Sequence, residues 1–308
     1  MDEKFAIATL KFKFRARQWV QLPPFSGSTW RGALGQALRR IVCVHSLQAT
    51  CKSCILRSTC WYAKLYEPVI APQCAFLGKQ AEAPHPLIPQ PWPLGGTLKS
   101  GQEAGLDLVL IGEAIAAVDI LVQATQRMLN HGIGRDRGEL DLLDWELQTP
   151  KLNPWRPETL PTQIHLHITT PLRLRIEGRI LRPEKITMRT FGTTLLRRLS
   201  LFTCCHSTAS LNADFKSLTN AAEQIQIKKR DLHWVHWARY SSRQQRHIDM
   251  DGVVGELIID LKVASVWWPY LWLGQWLHVG KGASMGMGRY YLHKDLFAPT
   301  VTLSLTSQ

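Results

Sequence analysis

"GKGASMGMGRYYL", Gly280–Leu292, places four glycines within nine residues and then returns at once to aromatic residues. Glycine gives a strand interior no side chain to pack, so the segment reads as a loop running into a strand. The chain holds a second loop of the same kind. "GIGR" occupies Gly132–Arg135 and "GMGR" occupies Gly286–Arg289, half a chain length apart. An apolar stretch of helical length precedes each, "AIAAVDILVQATQRML" and "VWWPYLWLGQWLH", and a strand-like run follows each, "ELDLLDWEL" and "RYYLHKDL". Upstream, "KFAIATLKFKFRA" and "TQIHLHITTPLRLRI" alternate with the period of a strand, and "TWRGALGQALRRIV" and "TFGTTLLRRLSLF" then read as helices. The same features in the same order, twice, predict tandem units.

Strand, helix, further strands, helix, Gly-rich loop and last strand is the order of a ferredoxin-like βαββαβ unit. The predicted fold class is therefore α+β: two tandem ferredoxin-like (RRM-like) domains, each with a Gly-rich loop before its last strand. The Pro-rich "TPKLNPWRPETLP", Thr149–Pro161, reads as the linker. The predicted division is 1–150, with a cysteine-cluster insertion over 43–74, and 161–308, with the Gly-rich loop at 280–289. "APHPLIPQPWPLGG", Ala83–Gly96, is read as a long loop inside the first unit. The fold recurs in RNA-recognition modules but hosts many unrelated activities, so function has to come from particular residues.

A net charge of +13, with Lys and Arg scattered through both halves, points to a folded basic surface and a polyanionic partner such as nucleic acid. No basic amphipathic helix or lipidation motif argues for a membrane surface. The N-terminal "MDEKFAIATLKFKF" has no signal-peptide h-region, and Asp107, Glu113 and Asp119 interrupt the most apolar stretch. A cytoplasmic protein with no membrane span is expected, and its seven cysteines as thiols or metal ligands rather than disulfides.

Within the cysteine cluster, Cys51-Lys-Ser-Cys54 is a C-x-x-C knuckle of the kind that wraps a tetrahedral ion, flanked by Cys43 and Cys60. The set Cys43, Cys51, Cys54 and Cys60 is expected to hold a structural zinc; an iron–sulfur site or free thiols are the alternatives. Cys204-Cys205 falls in the second unit's first helix, where adjacent residues cannot share a face. Trp268, Trp272 and Trp276 recur every four residues, a spacing read as core packing rather than as a base-stacking platform.

Three pieces of the second half, "TPLRLR" (Thr170–Arg175), "RYSSRQ" (Arg239–Gln244) and "LHVGKGASMGMGRY" (Leu277–Tyr290), join two of the first half. Those are "WRGALGQALRR" (Trp30–Arg40) and the cysteine cluster running into "WYAKLYEP" (Trp61–Pro68). The ordered set resembles the CRISPR-associated precursor-crRNA-processing endoribonucleases of the RAMP superfamily, in the branch with N-terminal cysteines. The resemblance implies binding of CRISPR repeat RNA and cleavage without a metal, as part of antiviral defense. The 2′-hydroxyl beside the scissile phosphate would be the nucleophile, leaving a cyclic phosphate and a 5′-hydroxyl. The alternative is a non-catalytic RAMP subunit holding crRNA in an effector complex; a third is a zinc-containing RNA-binding protein unrelated to CRISPR.

That reaction needs a base at the 2′-hydroxyl, an acid at the leaving oxygen and cations around the phosphorane. His45, just past the first helix, and His278, leading into the Gly-rich loop, are the expected acid–base residues. Their bland readings are a structural histidine beside a metal and a helix-capping histidine. Arg31 and Arg39, eight residues apart on one helical face, are expected to clamp a phosphate, unless they only line a solvated basic face. Lys281, Gly282, Ser284, Gly286, Gly288 and Arg289 are expected to admit and neutralise an RNA backbone, and the loop is expected to pack tightly between helix and strand as well. Arg239, Ser241, Arg243 and Gln244, on a strand or hairpin, are expected to contact RNA as well, or else to form a solvated charged hairpin.

Overall fold

The computed structural model describes residues 6–45, 50–70, 72, 74, 83–149, 160–207, 213–241 and 245–293. The first unit runs β1 (Ile7–Ala16), β2 (Val20–Leu22), α1 (Gly27–Val42), α2 (Trp61–Tyr66), β3 (Leu87–Trp92), β4 (Gly96–Leu98), β5 (Glu103–Ile111), α3 (Val118–His131) and β6 (Leu140–Gln148). The second runs β7 (Gln163–Leu172), β8 (Arg175–Ile176), β9 (Arg179–Ile180), α4 (Met188–His206), α5 (Phe215–Gln224), β10 (Gln226–Val235), β11 (Ala238–Ser241), β12 (Arg246–Asp249), β13 (Gly252–Asp260), α6 (Trp268–Leu277) and β14 (Tyr290–His293). Each forms an antiparallel four-stranded sheet, β3-β5-β1-β6 and β10-β13-β7-β14. In both, the opening strand lies between the third and the last, which is the ferredoxin-like order predicted from the repeat.

The helices form where apolar residues recur at helical spacing. Trp30, Leu34 and Leu38 of α1 lie on one buried stripe and pack with Leu10, Phe12 and Phe14 of β1. Thr187 caps α4 by accepting from the Thr190 backbone, and the Thr190 hydroxyl closes the reciprocal half of the box. In α6, Trp268 is fully buried while Trp272 and Trp276 pack against the same core, so the tryptophan stripe is packing, as expected.

"LDLVLI" in β5 does not alternate, and the structure gives the reason: both faces are buried. Leu106, Leu108 and Leu110 face the first unit's helices, whereas Val109 and Ile111 join Ile7 and Ile88 in the core of the second unit. The back of the first sheet is thus a wall of the second unit's core.

Two expectations are corrected. Ala83–Gly96 is not simply a loop, because it contains β3 and β4. β3 carries Pro89 and Pro91, which cannot donate to a ladder, but it lies at the sheet edge and needs hydrogen bonds on one side only. The cysteines are not all thiols either: Cys74 is disulfide-bonded to Cys204 at the end of α4 across 130 residues, with the Cys205 sulfur 3.5 Å from that of Cys74. Packing of the two units brings these Cα atoms to 5.8 Å, and no spacing in the sequence shows that. Among the described residues, no helix is long and apolar enough to cross a membrane.

Candidate functional site

The site is built where the second unit's Gly-rich loop lies on the first unit's first helix. Gly282 and Gly286, at φ +85° and +82°, bracket a single turn over Ala283–Met285. The Met285 carbonyl rests against Gly27 at the start of α1, where no Cβ would fit, and a Cβ on Gly286 would stand 2.5 Å from the Pro89 carbonyl of β3. Thr170, in "TPLRLR", holds the loop from below, accepting from the Arg289 backbone and donating to Gly286 O, both at 2.8 Å. Arg173 continues the brace: its own carbonyl accepts from Lys281 N at 2.9 Å, and its guanidinium donates to Asp251 O and Asp249 O. Rings also meet across the joint, with Phe25 and Trp237 centroids 5.7 Å apart.

The loop glycines therefore serve packing first. Lys281 is exposed and Ser284 partly so, and both are open to a ligand. Gly286 and Gly288 are buried against the protein. Arg289 lies over the Tyr291 ring at 4.7 Å and near Asp107, and burial lowers its pKa, so it is committed to the seam rather than held out toward solvent. Arg239 is half-buried on β11, and Ser241 ends that strand; the Ser241 side chain and all of Arg243 and Gln244 lie outside the described residues.

His278 is fully buried at φ +58°. Its Nδ1 donates to Met287 O at 3.1 Å, and its Nε2 accepts from Gln90 Nε2 of β3 at 2.8 Å. Desolvation, then the charges of Arg289 and Arg198, hold its pKa well below the ordinary value. It is a neutral pin between the units, which corrects its placement beside bound RNA: both nitrogens are engaged inside the protein.

His45 is exposed at the other end of α1. The helix has 16 residues. At 1.5 Å of rise per residue, about 24 Å therefore separate His45 from the Gly-rich loop. One phosphate cannot touch both. Arg31 and Arg39 do share a face, turned toward α2, but each stacks on its own tyrosine: Arg31 over Tyr66 at 4.5 Å and Arg39 over Tyr62 at 5.2 Å. The two tyrosines stack with centroids 5.3 Å apart. The expected single clamp is thus split, with Arg39 bonded toward Cys43 and Arg31 turned toward the domain seam.

Arg31 leads to a histidine the sequence reading passed over. Arg31 Nη2 lies 3.0 Å from His85 Nδ1, which also lies 3.3 Å from Leu65 O. Burial, then the charge of Arg31, pushes the His85 pKa down to about 4. His85 stands inside the Pro-rich stretch read as a loop, and no pattern in the sequence marks it, because its partner Arg31 lies 54 residues away.

Cys43, Cys51, Cys54 and Cys60 line one cavity of about 230 Å³ together with His45. Burial pushes the Cys51 thiol up, and the Cys43 thiol donates to His45 O. The donors suit a thiophilic ion, but among the described residues no three of His, Cys, Asp or Glu are arranged to hold one.

Two family models cover this framework end to end. One, AF_1859_N, an N-terminal domain, matches residues 5–167, and the other, CRISPR-associated endoribonuclease Cas6, matches residues 166–290. The second half of the chain thus matches the Cas6 family. No curated protein matches its sequence. Among solved structures it is similar to a Thermus thermophilus Cas6, at 14% identity and a TM-score of 0.57, covering 95% of this chain and 100% of that one. A Cas6 product complex matches at 17% identity and a TM-score of 0.53, over 94% of this chain and 99% of that one. A partial Cas6-RT-Cas1–Cas2 complex matches at 14% identity and a TM-score of 0.58, covering 98% of this chain but 48% of the other. At these identities the likeness speaks for the fold.

Proposed function

We propose that this chain is a Cas6-type endoribonuclease that binds CRISPR repeat RNA along the joint between its two units and cleaves precursor crRNA without a catalytic metal. The 2′-hydroxyl attacks the adjacent phosphorus, a base takes its proton, and the bond to the 5′-oxygen breaks as that oxygen gains a proton. The products are a 2′,3′-cyclic phosphate and a 5′-hydroxyl. The observation that supports this best is the joint itself. A Gly-rich loop from one unit lies on the N-terminus of α1 from the other, one helical turn from Arg31, with Lys281 exposed beside it. Partial positive charge from the helix terminus and the full charges of Arg31 and Lys281 thus lie at one joint.

The test is to incubate the purified chain with repeat RNA in EDTA and analyse the ends. Cleavage leaving cyclic phosphate supports the proposal. Tight binding without cleavage favours the non-catalytic crRNA-holding subunit, and binding no better than to an unrelated hairpin rejects both.

We also propose that Cys43, Cys51, Cys54 and Cys60 bind a structural zinc that draws their thiolates together beside α1, since metal affinity and local folding are coupled. Elemental analysis of the purified chain is expected to give about one zinc per molecule, lost in the Cys51→Ser/Cys54→Ser variant. A zinc-free, fully folded native chain contradicts it, and iron with a visible absorption band redirects it to an iron–sulfur centre.

A further inference from the structure

Arg31 and Arg239 come from different units, α1 and β11, yet the charge of Arg239 reaches Arg31 and opposes it. Both guanidinium groups are partly or largely desolvated, and among the described residues the Nε–H of each is buried without a hydrogen-bond partner. Among the described residues, the groups acting electrostatically on Arg31 are Tyr66, Tyr62 and Arg239, none of them a carboxylate. Burial is the effect that acts on Arg239. Two desolvated cations brought together with unmet donors are costly unless an anion completes them. The surface Arg–carboxylate pairs elsewhere show what is missing: Arg17, for instance, is bonded to both Glu139 and Asp141.

His85 stands on the edge of this niche. Its Nδ1 faces Arg31 and Leu65 O, and among the described residues nothing is hydrogen-bonded to its Nε2. An arginine can only donate, so contact with Arg31 requires the Nδ1 lone pair, whereas Leu65 O can accept a proton held on Nδ1. The protein thus supports both neutral tautomers. β3 begins two residues after His85 and reaches Pro89, where the Gly-rich loop rests. At roughly 3.3 Å per residue, His85 lies about 13 Å from that contact, so a single RNA strand can lie along both.

We propose that Arg31 and Arg239 hold the scissile phosphate and that His85 is the general base of the cleavage reaction. This deepens the endoribonuclease reading and rests on it. Phosphate oxygens take the unmet guanidinium donors, and Arg31 turns from Nδ1 toward them. Nδ1–H then donates to Leu65 O, which leaves the Nε2 lone pair to accept the 2′-hydroxyl proton as that oxygen bonds to phosphorus. The 5′-oxygen leaves with the electron pair of its bond to phosphorus and takes a proton from water. The imidazolium then returns its proton to the hydroxide, so no cofactor or oxidant enters the balance.

The experiment measures single-turnover cleavage of repeat RNA, RNA affinity and thermal stability for His85→Ala, His85→Asn and Arg239→Ala. For both His85 variants, cleavage at least about 100-fold slower with affinity within a few-fold of wild type is expected. Added imidazole should recover part of the His85→Ala rate. Arg239→Ala should weaken both affinity and rate. If His85→Ala fails to fold, His85→Asn, which keeps a side chain able to donate and accept, carries the test. Near-wild-type cleavage by the folded variants overturns the proposal while leaving the endoribonuclease reading intact. Equal loss of binding and cleavage makes His85 a structural residue and also overturns it. Failure of the wild-type chain to cut repeat RNA removes the underlying reading itself.

Discussion

A buried histidine with cations for neighbours stays neutral, and His278 has Arg289 and Arg198 beside it. His85 has the same relation to Arg31, and His206, bonded to Pro84 O, is also lowered by burial. In each case the native pKa lies below the ordinary 6.5. The unfolded chain therefore binds protons near pH 6.5 that the native chain refuses. Stability is complete above that value and is lost as pH falls toward the native pKa values. For His85, a native pKa of about 4 corresponds to roughly 3 kcal/mol at most. Melting temperatures recorded from pH 7.5 to pH 5 should fall steadily, before most carboxylates titrate; a flat profile contradicts the neutral histidines, one buried and two half-buried. At this scale the sequence was legible in type but not in role. It marked His278 as adjacent to the loop, yet spacing says nothing of burial, and burial turns a candidate catalyst into a pin. The isolated His85 carried no pattern, because its partner Arg31 is distant in the chain.

Among the elements, helices and alternating strands were readable because each buries one face, so their periods appear in the sequence: β1, α1, α4 and α6 all fall where periodicity puts them. β3 escaped for a physical reason, as its prolines argue against a strand unless that strand lies at an edge, and edge position is a tertiary fact. The Gly-rich loop was located correctly, and its packing between helix and strand was readable beside its exposed lysine; which elements it packs on was not. Its glycines let the loop lie against α1 and β3, and they also leave Lys281 at the surface. Gly286→Ala tests the packing. The left-handed conformation alone costs about 1–2 kcal/mol for a residue with a Cβ. The new methyl must also push Pro89 away. Denaturant titration should show a loss of at least that size, with weaker RNA binding because the joint opens. A variant as stable as wild type would mean that the loop does not bear on β3.

At the scale of the whole molecule, the two units are not beads on a linker. Ile7, Ile88, Val109 and Ile111 of the first sheet complete the second unit's core, while Gln90 bonds to His278 and Cys74 to Cys204 across the seam. The tandem organisation could be read from the repeated order of features. The seam could not, since a run such as "LVLI" in β5 shows that both faces are covered without saying by what. With a net charge of +13, the chain should bind RNA with an affinity that falls steeply as salt rises, through counterion release. That property alone would suit a binding subunit as well as an enzyme. The chemistry is tested most directly with repeat RNA carrying a single 2′-deoxy nucleotide on the 5′ side of the scissile phosphate. The account predicts that this RNA binds as tightly as the all-ribose strand and is not cut, whereas the all-ribose strand yields a cyclic phosphate in EDTA. Cleavage of the deoxy-substituted strand at the same bond would contradict it.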